Sequence, residues 1–176
     1  MIEFQEFPKI ARLSRDMIIT EKIDGTNAQI IIDEDGSFGC ASRKRIITPE
    51  SDNYGFAKWA YEHKDDLMKL GPGRHFGEWW GNGIQRGYGI LEKRFSLFNV
   101  GRWDCPERPS CCGIVPTLYK GEFDTISIRK VLDDLQLHGS YAAPFMNPEG
   151  VVIFHEASRT MFKKTIKDDE KPKGVR

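Results

Sequence analysis

Two runs of branched apolar residues, Met17-Ile18-Ile19 and Ala28 to Ile32, flank the polar stretch Thr20-Glu21-Lys22-Ile23-Asp24-Gly25-Thr26-Asn27. Both runs have the composition of strands. A lysine at such a junction projects into a cleft from a rigid base, and Gly25 permits a sharp turn or the close approach of a ligand. Phe4 to Leu13 carries apolar residues at mixed spacing and leads into the first strand. After Ile32, the acidic turn Asp33-Glu34-Asp35-Gly36 and the run Ser37 to Ala41 complete a hairpin. The basic cluster Ser42-Arg43-Lys44-Arg45 closes it and reads by itself as a solvated strand end.

From Ser51 to Leu70 the period changes. Phe56, Ala60, His63 and Leu67 fall three to four residues apart and predict a helix, with Ser51 or Asp52 as its cap and Gly71-Pro72-Gly73 as its stop. His75 to Trp80 is a short strand in which His75 reads as structural. The stretch from Gly81 to Gly89 is dense in glycine, suiting either backbone amides crowded around an anion or substrate strand, or a flexible hairpin loop. Phe95 to Val100 reads as a strand with Phe95, Leu97 and Asn99 on one face and Ser96, Phe98 and Val100 on the other. Gly101 to Ser110 is a loop, and Ile114 to Tyr119 an edge strand, because Pro116 cannot donate to a ladder. A second helix is predicted over Ile126 to Leu137, capped by Asp124 or Thr125 and burying Ile128, Val131, Leu132 and Leu135. Glu149 to Phe154 and Thr160 to Thr165 form an antiparallel pair, and the tail from Asp168 to Arg176 is polar and frayed.

The length of 176 residues suits one domain with a substantial core. Lys plus Arg and Asp plus Glu balance at 26 each, so only a local basic groove, not the overall charge, can argue for nucleic acid. Cys40, Cys105, Cys111 and Cys112 follow no zinc spacing and read as free thiols of a reducing compartment. No apolar run reaches transmembrane length and no targeting segment is recognisable, so a soluble, cytoplasmic protein without a membrane partner is expected.

Five pieces occur in order: Lys22-Ile23-Asp24-Gly25, Ser42-Arg43, Phe76-Gly77-Glu78, Glu149-Gly150-Val151-Val152 and Phe162-Lys163-Lys164. Together they resemble the nucleotidyl motifs of the covalent nucleotidyltransferases, the polynucleotide ligases and messenger-RNA capping enzymes. Thr20 to Asn27 is most similar to the ATP-dependent RNA ligase branch that includes nick-sealing enzymes. The resemblance runs from Lys22 to about Lys167 and implies an α+β nucleotidyltransferase domain over residues 1–167, ATP-grasp-like, with antiparallel sheets flanked by helices around a nucleotide cleft. Residues 168–176 would be the tail, with no appended OB-type domain.

The resemblance also implies roles. Lys22 matches the nucleophile that attacks the α-phosphate of ATP, which requires a neutral amine and hence nearby cations or desolvation. Arg43 is implied at the ribose or phosphate end, Glu78 at the ribose hydroxyls, and Glu149 at a divalent metal, Mg2+ or Mn2+. Phe98 and Val152 are implied to close on adenine from either side. Glu21 would offer backbone atoms to the base, and Asn27 would orient groups on the phosphate side. Lys163 would neutralise phosphate. Many relatives carry Lys-x-Lys there; Thr165 occupies the second position, and Lys164 or Lys167 is the substitute expected. The implied partner is RNA with 5′-phosphate and 3′-hydroxyl ends, possible substrates including a nicked duplex, gripped by Arg86 or by Lys44 and Arg45, and the enzyme would be monomeric. A capping-type guanylyltransferase and a nucleotide- or RNA-binding module without chemistry are the alternatives left open.

Overall fold

The computed structural model describes residues 2–170, so residues 171–176 of the expected polar tail lie outside them. Among the described residues, ten strands and four α-helices follow one another as β1 (Asp16–Lys22), β2 (Thr26–Ile32), β3 (Phe38–Ser42), β4 (Ile46–Ile47), α1 (Phe56–Glu62), α2 (Lys64–Leu67), β5 (Gly73–Gly81), β6 (Lys93–Leu97), α3 (Val100–Trp103), β7 (Cys112–Ile114), β8 (Thr117–Glu122), α4 (Thr125–His138), β9 (Gly150–His155) and β10 (Thr160–Thr165). They build two sheets: a smaller one with strand order β10-β9-β1-β8 and a larger one with order β4-β3-β2-β5-β6-β7. Every pairing is antiparallel except β6 with β7.

The outer face of each sheet carries helices. On the smaller sheet, Met17, Ile19, Val151 and Ile153 alternate inward against the Ile128, Leu132 and Leu135 stripe of α4. Asp124 starts that helix by accepting the Ser127 N–H at 2.7 Å, and Gly139, at φ 85°, ends it. On the larger sheet, Ala28, Ile30, Trp79, Phe95 and Leu97 pack against Phe56, Ala60, Leu67 and Leu70. The aromatic centre is tight, with the Phe56 and Phe95 rings 5.1 Å apart and Trp59 and Trp79 5.0 Å apart. A third core joins the inner faces, where Ile23, Trp80, Tyr88, Val100, Val115 and Ala143 meet the half-buried Ile18.

Three sequence expectations change. The helix predicted from Ser51 starts at Phe56, because Tyr54 and Gly55 adopt positive φ, and it breaks into α1, α2 and a 3-10 turn at Met68–Leu70. Gly55 rather than Ser51 or Asp52 is the N-cap residue, although the Asp52 carboxylate accepts the Ala57 and Lys58 N–H groups at 2.7 and 3.0 Å. The strand expected to Val100 stops at Leu97, since the Asn99 side chain accepts the Arg102 N–H at 3.1 Å and opens α3. The single strand expected from Ile114 to Tyr119 is two strands in different sheets, divided at Val115-Pro116. Phe4 to Leu13 does lead into β1, but without regular structure and with Phe4, Phe7, Ile10 and Leu13 exposed. Among the described residues no helix is long and apolar enough to cross a membrane.

Candidate active site

The chain passes from the smaller sheet to the larger one between Lys22 and Thr26. Lys22 is therefore the last residue of β1 rather than part of the turn, and Ile23-Asp24-Gly25 makes the crossing. Gly25 is required by close packing: a Cβ there would run into the Trp79 carbonyl and the Trp80 Cβ. The turn consequently lies directly on β5, the strand that carries Glu78.

Alternation decides what faces the space between the sheets. Along β1, Met17, Ile19 and Glu21 are buried on the α4 side, which leaves Ile18, Thr20 and Lys22 on the inner side. Cross-strand registers extend that inner face through Val152 and Lys163 in the row of Thr20, and Gly150 and Thr165 in the row of Lys22. On the larger sheet, Asn27, Glu78 and Ser96 form one inner row beside Trp80, whose indole N–H donates to Ser96 Oγ at 2.9 Å. Phe98, just past β6, donates its N–H to the Phe76 carbonyl and falls on the same face as Ser96. Phe98 and Val152 thus stand on the inner faces of opposite sheets.

Lys22 Nζ donates to Glu149 Oε2 at 2.6 Å, with the side chains 19% and 5% exposed. Strict alternation along β9 would turn Glu149 toward α4 with Val151. Gly150, at φ 153°, interrupts that alternation, and a Cβ on it would strike the Lys164 carbonyl. Glu78 lies on the other side of the crossing, where Oε1 accepts the Gly25 N–H and Oε2 the Asn27 side-chain amide, each at 3.1 Å. Burial pushes the Glu78 carboxyl up to about 7, outweighing the Lys22 charge and both hydrogen bonds, while the Glu149 charge pushes the same way.

A stability prediction follows from that shift. Folded Glu78 holds its proton more tightly than the unfolded chain does, so the stability it contributes is complete below the ordinary value of 4.5 and is lost as pH rises through about 7. The difference is about 3 kcal/mol on conversion at 1.36 kcal/mol per unit. Melting of the nucleotide-free protein should thus fall between pH 5 and pH 8, and Glu78→Gln should flatten that slope. Equal slopes for both proteins would refute the assignment.

Glu149 brings hard carboxylate oxygens to Lys22, donors suited to a divalent cation. Among the described residues no group of three or more His, Cys, Asp or Glu side chains could enclose a metal, so such an ion would draw further ligands from water and phosphate. The four cysteines are free thiols. Two cavities, of about 410 and 420 Å³, lie respectively between α4 and β10 and at the β6–β7 margin beside Ser96, Gly113 and Tyr141, and Lys22 lines neither.

The family model described as RNA ligase matches residues 15–167. This chain belongs to the RNA ligase family. Solved structures of Naegleria gruberi RNA ligase share the fold. A glutamate-to-alanine mutant with ATP and Mn superposes with TM-score 0.68 at 18% identity, covering 88% of this chain and 51% of that one. A lysine-to-methionine mutant with AMP and Mn gives 0.66 at 18%, covering 87% and 50%. An apo lysine-to-alanine mutant gives 0.66 at 19%, covering 86% and 50%. The chain therefore spans about half the length of these structures. No curated protein matches it.

Within this RNA ligase fold the residues singled out from the sequence divide into groups. Lys22, Asn27, Glu78 and Glu149 are joined by direct contacts or through the Gly25 turn. Val152, Lys163 and Phe98 share the inner faces with them. Arg43 is exposed one residue past Ser42, at the end of the row beside Asn27. Lys164 departs from the expected site: it belongs to the row of Glu21 and Val151, on the α4 side, and its Nζ lies 3.0 Å from Asp169 Oδ2. Thr165 does face inward, but its hydroxyl donates to the Lys167 carbonyl at 2.9 Å.

The sequence reading also missed what the Glu21 side chain does. It is fully buried and accepts from Ser140 Oγ, Tyr141 N–H and Ala142 N–H at 2.6, 2.8 and 3.2 Å, while its own N–H is taken by the Pro116 carbonyl. Burial holds this carboxyl above its ordinary range despite the three donors. Tyr88, buried in the glycine-dense loop, accepts the Asp24 N–H at 2.8 Å. Two of the cations expected at RNA have partners within the protein: Arg45 donates to the Ser51 and Asp52 carbonyls, and Arg86 to Asp24, while Lys44 is exposed. A bulky aromatic and a cation amid glycines were the only sequence signals for these supports.

Proposed function

We propose that the cleft centred on Lys22 performs ATP-dependent RNA ligation through a covalent lysyl-AMP, with residues 1–167 as the nucleotidyltransferase domain. The observation that carries this reading is the partly buried Lys22–Glu149 pair at the crossing between two sheets, with Glu78 fixed to the same turn. Family membership and the likeness to structures holding ATP or AMP and Mn support it. The ATP-grasp-like description is part of the same reading, two sheets holding a nucleotide between their inner faces.

Lys22 Nζ attacks the α-phosphorus of ATP; an N–P bond forms, and the bond to pyrophosphate breaks. The attacking amine has to be neutral, and Glu149 Oε2 stands where its proton can be held. Glu149 would hold a divalent cation, Mg2+ or Mn2+, which would supply positive charge favouring the neutral amine and offsetting phosphate charge. Glu78 receives the ribose hydroxyls, Phe98 and Val152 enclose adenine, Asn27 orients the phosphate side, and Arg43 and Lys163 meet phosphate oxygens. Glu21 acts through its buried carboxylate on the 140–142 backbone as well as through its place beside the nucleophile. AMP then passes to an RNA 5′-phosphate, and a 3′-hydroxyl displaces it. A monomer working in the cytoplasm completes the proposal.

Incubation with labelled ATP or GTP, followed by sealing of 5′-phosphorylated nicked RNA, DNA and hybrid duplexes, tests this function. Labelling by ATP and sealing of an RNA substrate are expected; labelling by GTP alone would favour guanylyl transfer, and no labelling a binding module.

Lys163 and Lys164 provide an internal control. Lys163→Ala should slow adenylation on the order of 10²-fold, as for loss of a charge aimed at a developing anion. Lys164→Ala should stay near wild type, because it removes a partly exposed ion pair worth about 1 kcal/mol or less on the far face. Single-turnover adenylation of both variants decides this, and a larger loss for Lys164 would contradict the facing assigned from register.

A further inference from the structure

The ladder joining β1 to β9 ends at Lys22 opposite Gly150. Beyond it, the Asp24 turn and the segment entering Glu149 continue outside regular pairing, although the Lys22–Glu149 contact depends on where both of them lie. Arg86 spans this place. Its Nε donates to Asp24 Oδ2 at 2.9 Å, and one terminal nitrogen donates to the carbonyls of Asn147 and Pro148 at 2.7 and 3.0 Å. Asp24 lies two residues after Lys22 and Pro148 one before Glu149, so a single guanidinium ties together the chains that carry the reacting amine and its partner.

The loop is built to deliver that side chain. Gly81, Gly83, Gln85, Gly87, Tyr88 and Gly89 all take positive φ, which folds the stretch back on itself. Ile84 and Tyr88 are fully buried and anchor it, and Tyr88 also accepts the Asp24 N–H. The glycine-dense stretch is thus a compact loop that presents Arg86 and Tyr88 to the Asp24 turn. A rigid fork satisfies a carboxylate and two carbonyls at once, which the point charge of lysine cannot reproduce.

We propose that Arg86 is a positioning residue for the adenylation step, acting through Asp24 and the 147–148 backbone to set Lys22 against Glu149. The proposal rests on the reading of Lys22 as the nucleophile. Arg86 does not grip RNA, and its effect belongs to the nucleotide step.

Lysyl-AMP formation in single turnover at saturating ATP, measured for Arg86→Ala, Arg86→Lys, Asp24→Asn and the Arg86→Ala/Asp24→Asn double variant, tests this. Arg86→Ala should slow the step on the order of 10²-fold, the scale for a misplaced reacting group, at nearly unchanged ATP affinity. Arg86→Lys should recover part of the rate. In the Asp24→Asn background, Arg86→Ala should cost far less than it does alone, because the two residues act as one unit. A full multiplicative loss in that background would overturn the proposal, as would normal adenylation with defective sealing, which is the pattern of an RNA contact. If Arg86→Ala does not fold, Arg86→Lys in both backgrounds carries the same cycle, and equal losses in the two would overturn it. Failure of the wild-type protein to form lysyl-AMP would instead overturn the nucleophile assignment and this proposal with it.

Discussion

Lys22→Ala should form no AMP adduct, and Lys22→Arg should fail as completely. Alanine leaves no amine to make the phosphoramidate, whereas a guanidinium remains protonated and is not nucleophilic. The arginine variant is the stricter test, because it retains a cation within reach of Glu149 and so preserves the ion pair seen at 2.6 Å. Intact-mass measurement after incubation with ATP and magnesium or manganese reads the outcome directly. An adduct persisting in Lys22→Ala would move the nucleophile elsewhere, with Lys163 on the same inner face the next amine to test.

Glu149→Gln should produce the second-largest loss, with a response to metal that Glu78→Gln does not share. Glu149 touches the proposed nucleophile, Lys22, and is 5% exposed on its side chain, so its charge acts on Lys22 with little screening. Removing that charge should slow lysyl-AMP formation on the order of 10²- to 10³-fold, the range for losing one preorganised electrostatic group, and raise the metal concentration needed. Glu78 accepts from the Gly25 N–H and the Asn27 amide and serves the sugar in the proposed mechanism. Its Gln variant should weaken ATP affinity at an unchanged metal midpoint. Titrating ATP at fixed manganese, then manganese at fixed ATP, separates the two, and superimposable metal curves would remove the distinction between the roles.

These two carboxylates also show why a linear sequence locates a site better than it assembles one. Glu149 lies 127 positions from Lys22, and only the β1–β9 register brings them together. Lys163 and Lys164 differ by one position, and a strand's period of two sends one inward and the other to Asp169. With both residues lysine and no apolar alternation at that point, the sequence cannot say which is which.

What the sequence determined by itself was local: the branched runs on either side of Lys22, the β2–β3 hairpin, the α4 stripe with its Asp124 cap, and the ordered motif residues that mark the family. Such features depend on neighbours a few residues apart, where periodicity, capping and turn chemistry act directly. Tertiary structure alone decided that Val115-Pro116 carries the chain from one sheet to the other, that Asn99 ends β6 early by capping α3, and that Arg86 and Tyr88 turn inward to brace Asp24. Each of these is a choice between partners. A glycine-dense loop with an arginine has the same composition whether it meets solvent, RNA or a buried carboxylate. Which one it meets is settled by the need to satisfy every polar group that the packing of the two sheets takes out of water.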